Sequence, residues 1–181
     1  MTAEILCAMA RNNAFANHRL SGAITALDAA AFTAPRTGFF PSIEKTANHL
    51  LSVDLYYLDA LEEEGQGLAV FERFTPAERG PAYTARQAEA DRRLIAFCDG
   101  LDEGRLSAEV VTDRGDDGMI RERIDALLLH LFQHQIHHRG QIHAMLSSTH
   151  IPPPQLDEFY LRFDRRIREP DLAALGIVEV G

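Results

Sequence analysis

The densest run of chemistry-bearing side chains in this sequence is His130-Leu-Phe-Gln-His134-Gln-Ile-His137-His138-Arg139-Gly140-Gln141-Ile142-His143. On an ideal helix, with His134 taken as zero, His138 lies about 40° to one side and His130 about 40° to the other. Leu127, Met145, Leu131, Ile124 and Ile142 fall between about +20° and +80° in the same projection, so the core direction lies near +60°. His134 and His138 therefore point inward. His130 and His137 are edge positions, and His143 projects toward solvent. Two imidazoles four residues apart have Cβ atoms about 5–6 Å from one another, which suits two nitrogens on one ion at roughly 2.0–2.1 Å each. Taken alone, an inward HxxxH also fits a hydrogen-bonded core pair. His49, on a separate apolar-periodic segment, is the candidate third ligand. Three neutral imidazoles leave a divalent ion its full charge, so that a water or thiol in an open position becomes more acidic.

The elements that must position these side chains are helical, because apolar periodicity near 3.6 recurs along the chain and strand alternation is scarce. The first helix is expected over residues 2–33, with a break at Pro35 and Gly38. Ser42, after Pro41, reads as the N-cap of a second helix that carries His49 and ends at Gly65 and Gly67. A third helix is expected from about Thr84 to Leu101. Ser107 to Ile120 reads as a strand, a turn and a second strand, and a last long helix from Ile120 to Ser147 carries the histidine cluster. Pro152, Pro153 and Pro154 stop it, and Leu156, Phe159, Tyr160 and Phe163 suggest a short packing helix. Four long amphipathic segments imply an all-α, four-helix bundle with a short hairpin insertion before the last long helix, and ligands from facing helices are how such bundles build metal sites.

At 181 residues and 46% hydrophobic composition, the chain suits one domain spanning 1–181. Its net charge of −9 argues against nucleic acid and anionic membrane as partners. Arg162, Arg165, Arg166 and Arg168 read as a solvated helix face. Cys7 and Cys98 are far apart, lack CxxC spacing and read as small apolar core residues. No basic and apolar leader and no run of about 20 apolar residues is present, so a cytoplasmic location is expected. Glu-x-x-His, His-Glu-x-x-His and Gly-x-Ser-x-Gly patterns are missing, which sets aside di-iron carboxylate, zincin-type and serine-hydrolase-elbow chemistry.

Phe39-Phe40-Pro41-Ser42-Ile43-Glu-Lys-Thr46-Ala-Asn48-His49-Leu-Leu-Ser-Val-Asp54, followed by His134-x-x-x-His138-Arg139-Gly140-Gln141, resembles the DinB family of metalloenzymes along nearly the whole chain. The Pro-Gln-Leu-Asp157 segment fits the same order. The resemblance implies an up-down-down-up bundle, a homodimer, and a divalent ion, zinc or nickel, on His49, His134 and His138. Relatives include thiol-dependent transferases and a thiol-dependent isomerase, so a low-molecular-weight thiol is an expected cofactor.

The expected function is metal-dependent activation of a small thiol or water for transfer, isomerisation or hydrolysis of a small-molecule substrate. The alternative is a non-enzymatic stress-response or regulatory bundle in which the ion is structural. Openness of the coordination sphere separates them, since a structural zinc is closed by four protein ligands and His130 or His137 is placed to supply a fourth. No catalytic acid or base is assigned. Gly140 reads as a close-packing position, Gln141 as a residue that orients a ligand, Asp54 and Arg139 as an inter-helix ion pair. His18, Tyr56 and Tyr57 read as structural.

Overall fold

The computed structural model describes residues 2–178. In chain order its helices and strands are α1 (Ala3–Ala26), α2 (Ala29–Thr33), α3 (Ile43–Leu61), α4 (Ala69–Arg73), α5 (Pro81–Asp99), β1 (Glu109–Asp113), β2 (Met119–Arg123), α6 (Ile124–Leu146) and α7 (Arg165–Leu175). The four long helices do the positioning: α1 packs on α5 and α6, and α3 packs on α6 and α5. Their apolar stripes meet in one core that includes Leu6, Leu20 and Ile24 of α1, Leu50 and Leu58 of α3, Leu94 of α5, and Leu131, Ile142 and Leu146 of α6. Among the described residues no helix is long and apolar enough to cross a membrane.

Several expected boundaries shift for local reasons. The first helix stops at Ala26, where Leu27 turns extended, and Asp28 starts the separate α2 by accepting from the Ala31 N–H. That cap competes with continuation of α1, which sequence periodicity alone does not register. Helix α3 begins as expected, with the Ser42 hydroxyl accepting from the Lys45 N–H at 3.1 Å. It ends at Leu61, before the glycines, and Asp59 then receives the Gln66 and Gly67 N–H groups. Gly67 is constrained twice, by φ of 55° and because a Cβ there would lie 2.8 Å from Asp113.

The hairpin is longer than expected. β1 and β2 pair antiparallel from Glu109↔Arg123 to Asp113↔Met119, and Val110 and Thr112 of β1 are buried while their neighbours on the strand are more exposed. β2 therefore takes residues 120–123, and α6 starts at Ile124, whose N–H donates to Ala108 O. No helix forms at residues 156–161. That segment is extended or bent, tied to α1 by Arg19, which donates to Gln155 O and Glu158. Phe159 packs on Phe15, whereas Phe163 is 79% exposed. Arg168 is buried and donates to Leu161 O, so the arginine run is not a uniformly solvated face.

Candidate metal centre

Two turns inside its Ser42 cap, α3 directs His49 toward the middle of α6, where His134 and His138 stand one turn apart. The ring centroids form a near-equilateral triangle: 4.9 Å for His49–His134, 4.7 Å for His49–His138 and 4.5 Å for His134–His138. One donor nitrogen from each ring lies within 4.8 Å of the other two. His49 Nε2 and His134 Nε2 are 3.0 Å apart, against about 3.3 Å for two imidazole nitrogens bound tetrahedrally to one zinc. His134 and His138, chosen by projection, and His49, the candidate third ligand, are thus brought together.

Their protonation state suits ligation. Burial, followed by the neighbouring His138 imidazole, lowers the pKa of His49 from 6.5 to about 4. Burial, followed by the other imidazoles, lowers His134 to about 3. His138 is also lowered, chiefly by burial and against the opposing effect of Gln141. All three are neutral at neutral pH, the state that a metal ligand requires.

Gln141 does what the helical projection anticipated. Its Oε1 lies 2.8 Å from His138 Nδ1; the imidazole N–H donates to the amide oxygen, leaving the His138 Nε2 lone pair free. The other end of the amide, Nε2, donates to His137 Nε2 at 3.0 Å. His134 Nδ1 is buried without a hydrogen-bond partner among the described residues. An unmatched buried nitrogen costs about 1–3 kcal/mol, so the triad is a tolerated cost in this core rather than a self-satisfied polar cluster.

The two edge imidazoles stay outside. His130 is exposed, with its ring 6.3 Å from that of His134, and His137 is exposed and engaged by Gln141. Neither belongs to the three-nitrogen cluster. His143 is half-buried rather than solvated, because its Nε2 donates to Pro154 O at 3.1 Å and ties the tail to α6. His18 is partly exposed near Asp171. Tyr56 and Tyr57 are buried, and Tyr56 donates to Asp113 O at the hairpin.

Two expectations about the neighbouring motif residues fail. Gly140 is exposed, and a Cβ on it would meet nothing within 4 Å, so close packing within the chain does not explain it. Asp54 and Arg139 do not form a direct ion pair; amides stand between them. The Gln135 amide accepts from Arg139 through Oε1 at 3.2 Å and donates through Nε2 to Asp54. Arg139 also donates to Asn13 and Asn17 on α1, whose own amide groups donate to Asp91 on α5 at 3.0 and 2.9 Å. Gln87 donates to Asp54 at 2.8 Å. One guanidinium and two carboxylates, all buried, are thus linked through amides across all four long helices.

Burial raises Asp54 from 3.8 to about 6, against the opposing hydrogen bonds of Gln87 and Gln135. Burial and then the Asp54 charge raise Asp91 to about 7. Burial lowers Arg139 to about 10, partly offset by the two aspartates. Gln135 and Arg139 adjoin His134 and His138 in sequence, so the network fixes how α6 presents its imidazoles to α3. Sequence reasoning missed Asn13, Asn17, Gln87 and Asp91. The available signal was the recurrence of polar pairs at i,i+4, Asn13/Asn17, Gln87/Asp91 and Gln135/Arg139, on three helices that must share one interior.

A cavity of about 560 Å³ is lined by Cys7, Arg11, Asp99, Tyr160 and Leu172, away from the triad. Cys7 donates to Cys98 O at 3.1 Å. Burial raises the pKa of both thiols, and Cys98 is fully buried, as expected of a core residue.

The DinB family profile matches residues 1–169. The fold is similar to the crystal structure of a DinB-like protein from Bacillus subtilis, with a TM-score of 0.58 and 16% identity, covering 81% of this chain and 95% of that one. No curated protein matches. With the family profile spanning all four long helices and both histidine blocks, the chain belongs to the DinB family.

Proposed function

We propose that this protein is a metal-dependent enzyme in which His49, His134 and His138 hold a divalent ion, zinc or nickel, and a small thiol or water is activated for transfer, isomerisation or hydrolysis of a small molecule. The observation that carries the reading is the convergence of three neutral imidazole nitrogens within 4.8 Å from two helices. An ion so held supplies Lewis acidity and lowers the pKa of a water or thiol in its open position.

The chain's own residues do the rest. Gln141 fixes the tautomer and ring orientation of His138. The Phe40 ring, 4.4 Å from that of His49, shields one side of the imidazole. The Arg139–Gln135–Asp54 network holds α6 against α3, within what we read as an up-down-down-up bundle. Openness at the fourth position supports catalysis over a structural ion, because His130 and His137 lie outside the cluster.

Elemental analysis of untagged protein, purified without added metal and compared with His134→Ala, tests the reading. About one equivalent of zinc or nickel in the natural chain, lost in the variant, is expected. No metal, together with no uptake on reconstitution, would overturn it in favour of a non-enzymatic bundle.

A further inference from the structure

The segment that leads into α3 places two aromatic rings beside the triad. Phe40 lies 4.4 Å from His49 and 5.6 Å from His138 between ring centroids. Phe39 packs edge-on against Phe40 at 4.9 Å and lies 6.4 Å from His138. Phe39 is nonetheless 78% exposed, so its side chain contributes little core burial to folding.

The segment is held in place. The Arg36 N–H donates to Pro41 O at 2.8 Å, closing the loop, and the Arg36 guanidinium donates to Ser148 Oγ at the end of α6. Gly38 sits so close to α6 that a Cβ there would lie 2.5 Å from Met145 Cε. The backbone that carries the two rings is therefore held against α6. The polar side of the site is equally specific: its three donors are neutral imidazoles, and Gln141 is its hydrogen-bonding neighbour. With an ion in place, the site is cationic at its centre and apolar at its rim.

Resting on the metal reading above, we infer that the substrate class is an amphipathic organic anion. An anionic donor, thiolate or carboxylate, occupies the open position, and a flat apolar body lies against Phe39 and Phe40. A charged or strongly hydrated body would lose solvation against Phe39 without gaining a polar partner, whereas an aromatic one gains stacking and burial. Phe39 is then a specificity-determining residue, which accounts for a phenylalanine held in solvent by a pinned loop.

The test uses the full chain loaded with cobalt(II). Its visible spectrum first reports whether cobalt binds at all, with His134→Ala as the control. Acetate, phenylacetate, ethanethiol and phenylmethanethiol are then titrated, separating carboxylate from thiolate donors and bare heads from aromatic bodies. Within at least one donor class, the aromatic member is expected to bind about ten-fold tighter than the small one. Phe39→Ala should erase most of that preference while leaving cobalt affinity unchanged, and Phe39→Tyr should retain it. Cobalt binding with equal affinities in both pairs, or a preference that survives Phe39→Ala, overturns the inference alone. Absence of cobalt binding overturns the metal reading, and this inference falls with it.

Discussion

Asp91→Asn is expected to stabilise the protein at alkaline pH and to do so progressively less as pH falls. Asp91 is buried and accepts two amide N–H groups on the same oxygen, Oδ1, from Asn13 and Asn17. An asparagine oxygen can keep both bonds. Burial, reinforced by Asp54, raises the Asp91 pKa from 3.8 to about 7. A folded-state pKa above the unfolded value means that the folded protein retains a proton that the unfolded chain releases. The stabilisation is complete below about pH 3.8 and is lost as pH rises to about 7. The full difference corresponds to about 4 kcal/mol, of which about 3 kcal/mol develops between pH 5 and pH 8. Urea denaturation of both proteins, followed by circular dichroism, reads the variant-minus-natural difference directly and cancels titration of the histidines. A difference that stays constant with pH, or that turns against the variant at pH 8, would refute the assignment of a retained proton to this network.

Other outcomes follow from the same structure. Gly140→Ala should stabilise by about 0.5–1 kcal/mol without changing metal binding, since the site is helical and open; chemical denaturation checks it, and destabilisation would mean that Gly140 is approached from outside the chain. Gln141→Leu should weaken zinc binding about 10–100-fold with the helical circular dichroism spectrum intact, measured by competition with a chromophoric chelator. In metal-free protein, the lowered pKa values of His49 and His134 place their contribution to stability above the ordinary histidine pKa of 6.5, and it is lost as pH falls from there toward about 4 and about 3. The double variant His49→Gln, His134→Gln should flatten that acid limb in a denaturation series.

Much of this site was legible because helical geometry restricts it strongly. Once residues 124–146 form one helix, the apolar set Ile124, Leu127, Leu131, Ile142 and Met145 sets the inward direction and selects His134 and His138 from five histidines. All five apolar residues are buried. The same projection did not separate a solvated His143 from one that holds a proline-rich tail, because the partner, Pro154 O, comes from a segment without periodicity. Asp54 and Arg139 were paired on their placement in the two motif blocks, since opposite charges invite that reading. The structure interposes Gln135 between them, and glutamine carries no charge signal in a sequence. The break between α1 and α2 and the start of α6 were misplaced because a side-chain cap and a strand pairing, both non-periodic, decided them.

X-ray absorption spectroscopy of the zinc-loaded full chain tests the central claim most directly, because it counts imidazoles around the ion. The account predicts three imidazole nitrogens at about 2.0–2.1 Å and one exchangeable oxygen donor without an imidazole outer shell, with the imidazole shell reduced in His138→Ala. Four imidazoles would contradict it, since a fourth from His130 or His137 closes the position at which substrate must bind.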